Sequence, residues 1–160
     1  MPLLIFIALL FCQDVAWAEP SIELVRVLKS ERKLQLVAEG KVINEFTVAL
    51  GGNPKGHKQQ EGDSKTPEGV YTLDYKKSDT AYHRAIHISY PNSADIAAAK
   101  ARGVSPGGSV MIHGQKNGLG WLSFISQRFD WTKGCIALNN ADMDVFWASV
   151  REGTKIEIKP

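Results

Sequence analysis

Two short blocks hold residue types able to do covalent chemistry: Thr132-Lys133-Gly134-Cys135-Ile136, and upstream of it Ile112-His113-Gly114. A thiol attacks a carbonyl well only as a thiolate, and a nearby imidazole both takes its proton and stabilises the charge that results. A glycine beside each reactive side chain permits close backbone approach, so main-chain N–H groups can face a substrate oxygen. The blocks therefore offer a nucleophile in Cys135, a candidate base in His113, and candidate oxyanion donors in the N–H groups of Gly134 and Cys135. A lone cysteine can equally be a buried structural residue, so its surroundings have to decide.

The elements that would position these residues are mostly short strands. Ile22 to Val27, Leu34 to Val37 and Val42 to Leu50 carry apolar residues at strand spacing, with Glu39-Gly40 as a hairpin turn. A long polar stretch, 51–69, has no periodicity of its own and ends in the turn Thr66-Pro67-Glu68-Gly69. Val70 to Tyr75 and Arg84 to Tyr90 read as strands, and Ser93 is placed to cap a helix that Gly103 ends. Strands are expected at Ser109 to His113 and Cys135 to Leu138, with a helical turn or two across Trp121 to Phe129. Asn139 or Asn140 caps a last helix carrying Met143, Phe146, Trp147 and Val150, before a strand over Lys155 to Lys159. The expected fold is mostly β: a single-domain β-sandwich or open barrel with two or three short helices.

At 160 residues the chain has room for one domain. A net charge of +2, with Lys and Arg scattered, gives no basic footprint for nucleic acid. Leu3 to Phe11 is an apolar run too short to span a bilayer, and Ala16-Trp17-Ala18 follows as a cleavage signal. Residues 1–18 thus read as a secretory signal and 19–160 as the mature domain, exported to the periplasm or cell envelope without stable membrane insertion. Acylation at Cys12 fits poorly, because Phe11 precedes it where a small residue is normal. Cleavage would leave Cys135 as a single thiol in an oxidising compartment, where an odd cysteine either pairs with another chain or is reactive.

His113-Gly114, then Thr132-x-Gly134-Cys135-Ile136, resembles the signature of the L,D-transpeptidase catalytic domain, also called the YkuD domain. Lys65-Thr66-Pro67-Glu68-Gly69-Val70-Tyr71 resembles that family's T-P-x-G-x-[FY] segment. Asn140-x-Asp142 and Gly153-Thr154-Lys155-Ile156-Glu157-Ile158 resemble its closing helix and strand, so the likeness runs from about Ile22 to Ile158. The resemblance implies a β-rich fold and acyl transfer in peptidoglycan, with no cofactor or metal. Cys135 would attack the carbonyl at position three of a stem peptide, release D-alanine, and pass the acyl group to an amine of a second stem or an envelope protein. Many members carry His two residues before the cysteine and Arg two residues after it, where this chain has Lys133 and Ala137. Those departures point to a divergent branch in which water competes with the amine, as in an L,D-carboxypeptidase or amidase.

Around this centre, Gly114, Thr132, Lys133, Trp131 and His87 are the candidate substrate-binding residues. Trp131, with Trp121, brackets the approach to Cys135, either as a cleft wall or as minor-core packing. His83 and His87 are four apart on a strand, more than roughly 12 Å by strand rise, which is no metal-ligand spacing. His57 is read as solvent-exposed. The competing class is a non-catalytic peptidoglycan-binding domain, which has no need of Cys135 or His113. The cleft is expected between the 51–69 and 115–131 segments, with His113 within hydrogen-bond reach of Cys135.

Overall fold

The computed structural model describes residues 21–160, so the expected signal at 1–18, its cleavage site and Cys12 lie outside the described residues. Eight strands form one mixed sheet: β1 (Leu24–Leu28), β2 (Lys33–Ala38), β3 (Lys41–Thr47), β4 (Gly69–Lys77), β5 (Ala85–Ile88), β6 (Met111–His113), β7 (Ile136–Ala137) and β8 (Thr154–Lys159). Three helices accompany them: α1 (Ser93–Ala101), α2 (Ser123–Ser126), preceded by a 3-10 turn at Gly120–Leu122, and α3 (Asn140–Ser149). The strand order is β3-β2-β1-β8-β4-β5-β6-β7, and β8 runs parallel to β1. Chain leaving β3 reaches the far edge of the sheet, where Ala49 bridges Ala137 and Gly51 bridges Thr132. The sheet thus curls toward closure on itself, which resolves the two expected architectures as an open barrel.

Strand alternation builds the core. Val25 and Val27 of β1, Ile86 and Ile88 of β5, Ile112, Ile136, Ile156 and Ile158 point inward and are buried. Helix α3 covers them with Met143 and Phe146, the latter edge-on to Phe46 at 6.5 Å between ring centroids. Glu39 and Gly40 both take positive φ, 49° and 72°, the backbone a two-residue hairpin turn needs between β2 and β3. Helix α1 is capped one residue earlier than expected: the Asn92 side chain accepts from the N–H groups of Ala94 and Asp95. The Asp95 carboxylate accepts the Asn92 N–H in return, and this reciprocal pair fixes the helix start.

Polar anchors, not periodicity, hold the 51–69 segment. Lys29, 2% exposed, reaches from the end of β1 to donate to the carbonyls of Gly56 and Thr66 and to the Glu68 carboxylate. Lys58, 4% exposed, pairs with Asp63 at 2.8 Å. His57, expected to face solvent, is held on both ring nitrogens. Its Nδ1 accepts the Glu68 N–H at 3.0 Å, so Nε2 carries the proton given to Asp95, also 3.0 Å away. The segment is thereby fixed against α1 and β4, with its 58–62 part beside the start of β7.

Candidate active site

Strands β6 and β7 are parallel, with Ile112 beside Ile136 and His113 beside Ala137. Ile112 and Ile136 face the core, so His113 and, one residue before β7, Cys135 share the opposite face. Strand spacing and rise put their Cα atoms roughly 8 Å apart along a diagonal. The thiol is not bonded to the imidazole. The Sγ atom accepts the Met111 N–H at 3.5 Å and lies 3.8 Å from the Ser109 carbonyl oxygen. The expected direct contact therefore requires a side-chain movement across the diagonal.

His113 ends β6 and is 3% exposed. Its Nδ1 lies 2.7 Å from the Gly114 carbonyl oxygen, an obligate acceptor, so Nδ1 carries the proton and the neutral ring keeps its lone pair on Nε2. Tyr82 lies against the ring at 4.1 Å between centroids and Trp131 meets it edge-on at 5.9 Å. Burial lowers the His113 pKa, partly offset by the Gly114 carbonyl. Burial raises that of the Cys135 thiol, partly offset by the Met111 N–H and the Lys58 ammonium. Both shifts favour the neutral thiol and the neutral imidazole.

Thr132 organises the backbone at Cys135. Its hydroxyl donates to the Cys135 carbonyl at 2.7 Å and accepts the Gly134 N–H at 3.1 Å. The Gly134 N–H, expected as an oxyanion donor, is thus engaged in this state, while the Cys135 N–H has no hydrogen-bond partner among the described residues. Gly134 has φ of 126°, and a Cβ there would stand 2.7 Å from the Lys65 carbonyl oxygen. Only glycine fits this backbone and this contact.

A cleft of about 320 Å³ opens at Cys135, walled by Lys58, Glu61 and Gly62 from one segment and Gly107–Val110 from another, with Lys133 also in its lining. One wall is the expected 51–69 segment; the other is the approach to β6 in place of 115–131. Parallel strands begin at the same end of the sheet, so the thiol at the start of β7 meets the residues that lead into β6. The 115–131 crossover instead covers the His113 end. There Gln115, Lys116, Leu119, Leu122, Ser126 and Trp131 enclose a second hollow of about 180 Å³.

Of the other candidates, Trp131 sits on His113, whereas Trp121 is 69% exposed. Gly114 is wedged where a Cβ would stand 2.6 Å from the His83 carbonyl oxygen, and its own carbonyl orients the imidazole. His87 lies in register with Met111 and binds Asp74, while His83 binds Asp144. Ala137 is fully buried between His113 and Ala49. Lys58, Tyr82 and the Met111 N–H were not foreseen. All three reach the site from irregular segments or main chain, where side-chain pattern carries no signal.

The model of the YkuD family, the L,D-transpeptidase catalytic domain, matches residues 23–158. YafK of Escherichia coli strain K12, provisionally named an L,D-transpeptidase, is 30% identical over 112 residues, 66% of this chain and 44% of that protein. The helical cell shape determining protein Pgp2 from Campylobacter jejuni superposes with a TM-score of 0.65 at 28% identity, over 86% of this chain and 47% of that one. An L,D-transpeptidase from Mycobacterium smegmatis shares the fold, with a TM-score of 0.58 at 16% identity, over 87% of this chain and 59% of its own. The chain spans less than half the length of YafK and Pgp2.

Proposed function

The chain belongs to the L,D-transpeptidase catalytic domain family, and from that premise we propose that it is a peptidoglycan-modifying cysteine acyltransferase. One observation carries the reading. The Nδ1–H bond to Gly114 leaves the lone pair of His113 on Nε2, on the sheet face it shares with Cys135. That is the tautomer a general base needs.

In the proposed reaction the Sγ–H proton passes to Nε2 as sulfur attacks the position-three carbonyl of a stem peptide. The oxyanion takes the Cys135 N–H, and the Gly134 N–H once Thr132 releases it. Collapse breaks the C–N bond, the imidazolium returns its proton to the departing D-alanine amine, and a thioester remains. An amine of a second stem, or of an envelope protein, then attacks. Nε2 takes the proton that amine sheds and passes it to the leaving thiolate. Gly114 and Trp131 hold the imidazole, Thr132 shapes the donor loop, and Lys133 and His87 meet the substrate. This work belongs outside the cytoplasm, in the periplasm or cell envelope.

Ala137 favours a second reading, hydrolysis of the same thioester by water. Fully buried against Ala49, it gives an incoming stem no fixed cation where many members carry arginine. The test is incubation with a disaccharide-tetrapeptide and mass analysis. Released D-alanine with cross-linked dimer supports the acyltransferase, and released D-alanine with free tripeptide alone supports the second reading. No product, together with no carbapenem adduct on Cys135, would leave only a binding domain.

A further inference from the structure

We propose that Tyr75, His87 and Asp74 form a subsite for a pyranose ring, taking the muramic sugar that carries the donor stem. The inference rests on the peptidoglycan reading above and deepens it. The Tyr75 ring stacks on that of His87, with centroids 4.6 Å apart and planes 11° from parallel. Tyr75 is 43% exposed. With one face of its ring on His87, the other face is the one available to a ligand. Asp74 binds His87 Nδ1 at 2.7 Å, and its side chain is 40% exposed. A flat apolar face beside a carboxylate with a free oxygen matches a sugar, whose axial C–H faces are apolar and whose hydroxyls donate.

The sheet aims this pair at the site. Leu73 opposes Ile88 and Lys76 opposes Ile86, so Asp74 and Tyr75 together oppose the single residue His87. Such a bulge turns both side chains toward one face. Lys76 confirms the phase, because its ammonium reaches the Trp147 carbonyl on the opposite, α3-covered side. His87 is in register with Met111, whose N–H meets the Cys135 sulfur. Tyr75, His87, Met111 and Cys135 therefore form one row across four strands on one face.

The row has the length of the substrate. Two strand spacings separate Cys135 from His87, about 10 Å, and three separate it from Tyr75, about 14 Å. A stem bound with its third carbonyl at the thiol runs back through three residues at about 3.3 Å each before its N-terminal amide meets the lactyl arm of the sugar. An extended stem laid across the strands puts that sugar on the Tyr75 ring.

The experiment compares KM for a free tetrapeptide and for the same peptide on its disaccharide, in the wild-type chain and in Tyr75→Ala. The sugar is expected to lower the wild-type KM roughly five- to tenfold, as one aromatic contact would, and the two values should converge in the variant. A wild-type KM indifferent to the sugar overturns the subsite, and so does a sugar effect that survives Tyr75→Ala. A second arm needs no turnover: the peptide-free disaccharide is titrated while the ring signals of Tyr75 and His87 are followed by NMR. His87 shifts that vanish in Tyr75→Ala support the subsite even if neither substrate reacts, an outcome that would remove the acyltransferase reading alone. No shift in the wild-type chain overturns the subsite whatever the turnover.

Discussion

Thr132 and Cys135 are tied by a hydrogen bond of 2.7 Å from the threonine hydroxyl to the cysteine carbonyl, and the same hydroxyl holds the Gly134 N–H at 3.1 Å. In the proposed mechanism this hydroxyl sets the backbone that carries the Cys135 and Gly134 N–H groups, without itself touching a reacting atom. Thr132→Val keeps the shape and removes both bonds. Its kcat should fall roughly ten- to a hundredfold, with little change in KM or in the unfolding transition. Thr132→Ser should retain most activity, and equal losses in both variants would deny the hydroxyl this role.

Cys135→Ala should abolish turnover with the fold intact, because one small side chain is lost beside an open cleft. Cys135→Ser should be nearly inactive, since one imidazole deprotonates a hydroxyl far less readily. Product formation near the wild-type rate in either variant would show that another residue is the nucleophile.

The pH profile follows from the directions of the two pKa shifts. His113 is pushed below the ordinary imidazole value, so it stays a competent base into mildly acidic solution and turnover falls only as pH drops through that lowered value. Cys135 is pushed up, so alkylation of the resting thiol by iodoacetamide should rise with pH and reach half its limit above the ordinary thiol value. Asp63 is opposed by burial but held down to about 2 by Lys58 and the N–H groups of Gln59, Lys65 and Gln60. Its contribution to the 58–65 loop is therefore present above its unfolded value and is lost only as pH falls through about 2. Acid should stop catalysis before it loosens the loop, which loop fluorescence labels and rates can compare.

Lys29→Met leaves Glu68 and two carbonyls without their buried cation. A loss of about 3–5 kcal/mol is expected in urea unfolding, far more than for the exposed Lys77→Met. A change under 1 kcal/mol would show that water replaces the ammonium.

Ala137→Arg should not restore the common pattern. The site is closed by Ala49 and His113, so a guanidinium there would be buried without a partner. A marked fall in melting temperature is expected, with no gain in cross-linked dimer over free tripeptide. A stable variant that cross-links better would show that the barrel edge yields.

Strand and helix positions were legible because alternation and caps are local. The mostly-β single domain followed from that local pattern, and Cys135 and His113 stood out as candidates from four motifs in order, but the choice between sandwich and open barrel waited on the bridges of Ala49 and Gly51 to the far edge. Less legible was whatever depended on distant pairing. Nothing near Lys29 or Lys58 announces that each will be buried by the 51–69 loop, and His57 looks like any loop histidine until Asp95 arrives from α1. The cleft wall was misplaced because it depends on which ends of β6 and β7 coincide, a fact of parallel pairing that hydropathy does not encode. Asn92 displaced Ser93 as cap for a smaller reason: both can cap, and Asp95 at the third helical position completes the box only with Asn92.

Strand β8 has a further consequence. It is the last strand in sequence yet lies between β1 and β4, in the middle of the sheet. A chain delivered N-terminus first thus holds two partial sheets, β3-β2-β1 and β4-β5-β6-β7, that cannot be joined at their centre until Thr154–Lys159 emerges. Closing so long a loop is slow. The centre of the barrel therefore locks only once residues 154–159 are available, whatever the order in which the flanking strands pair.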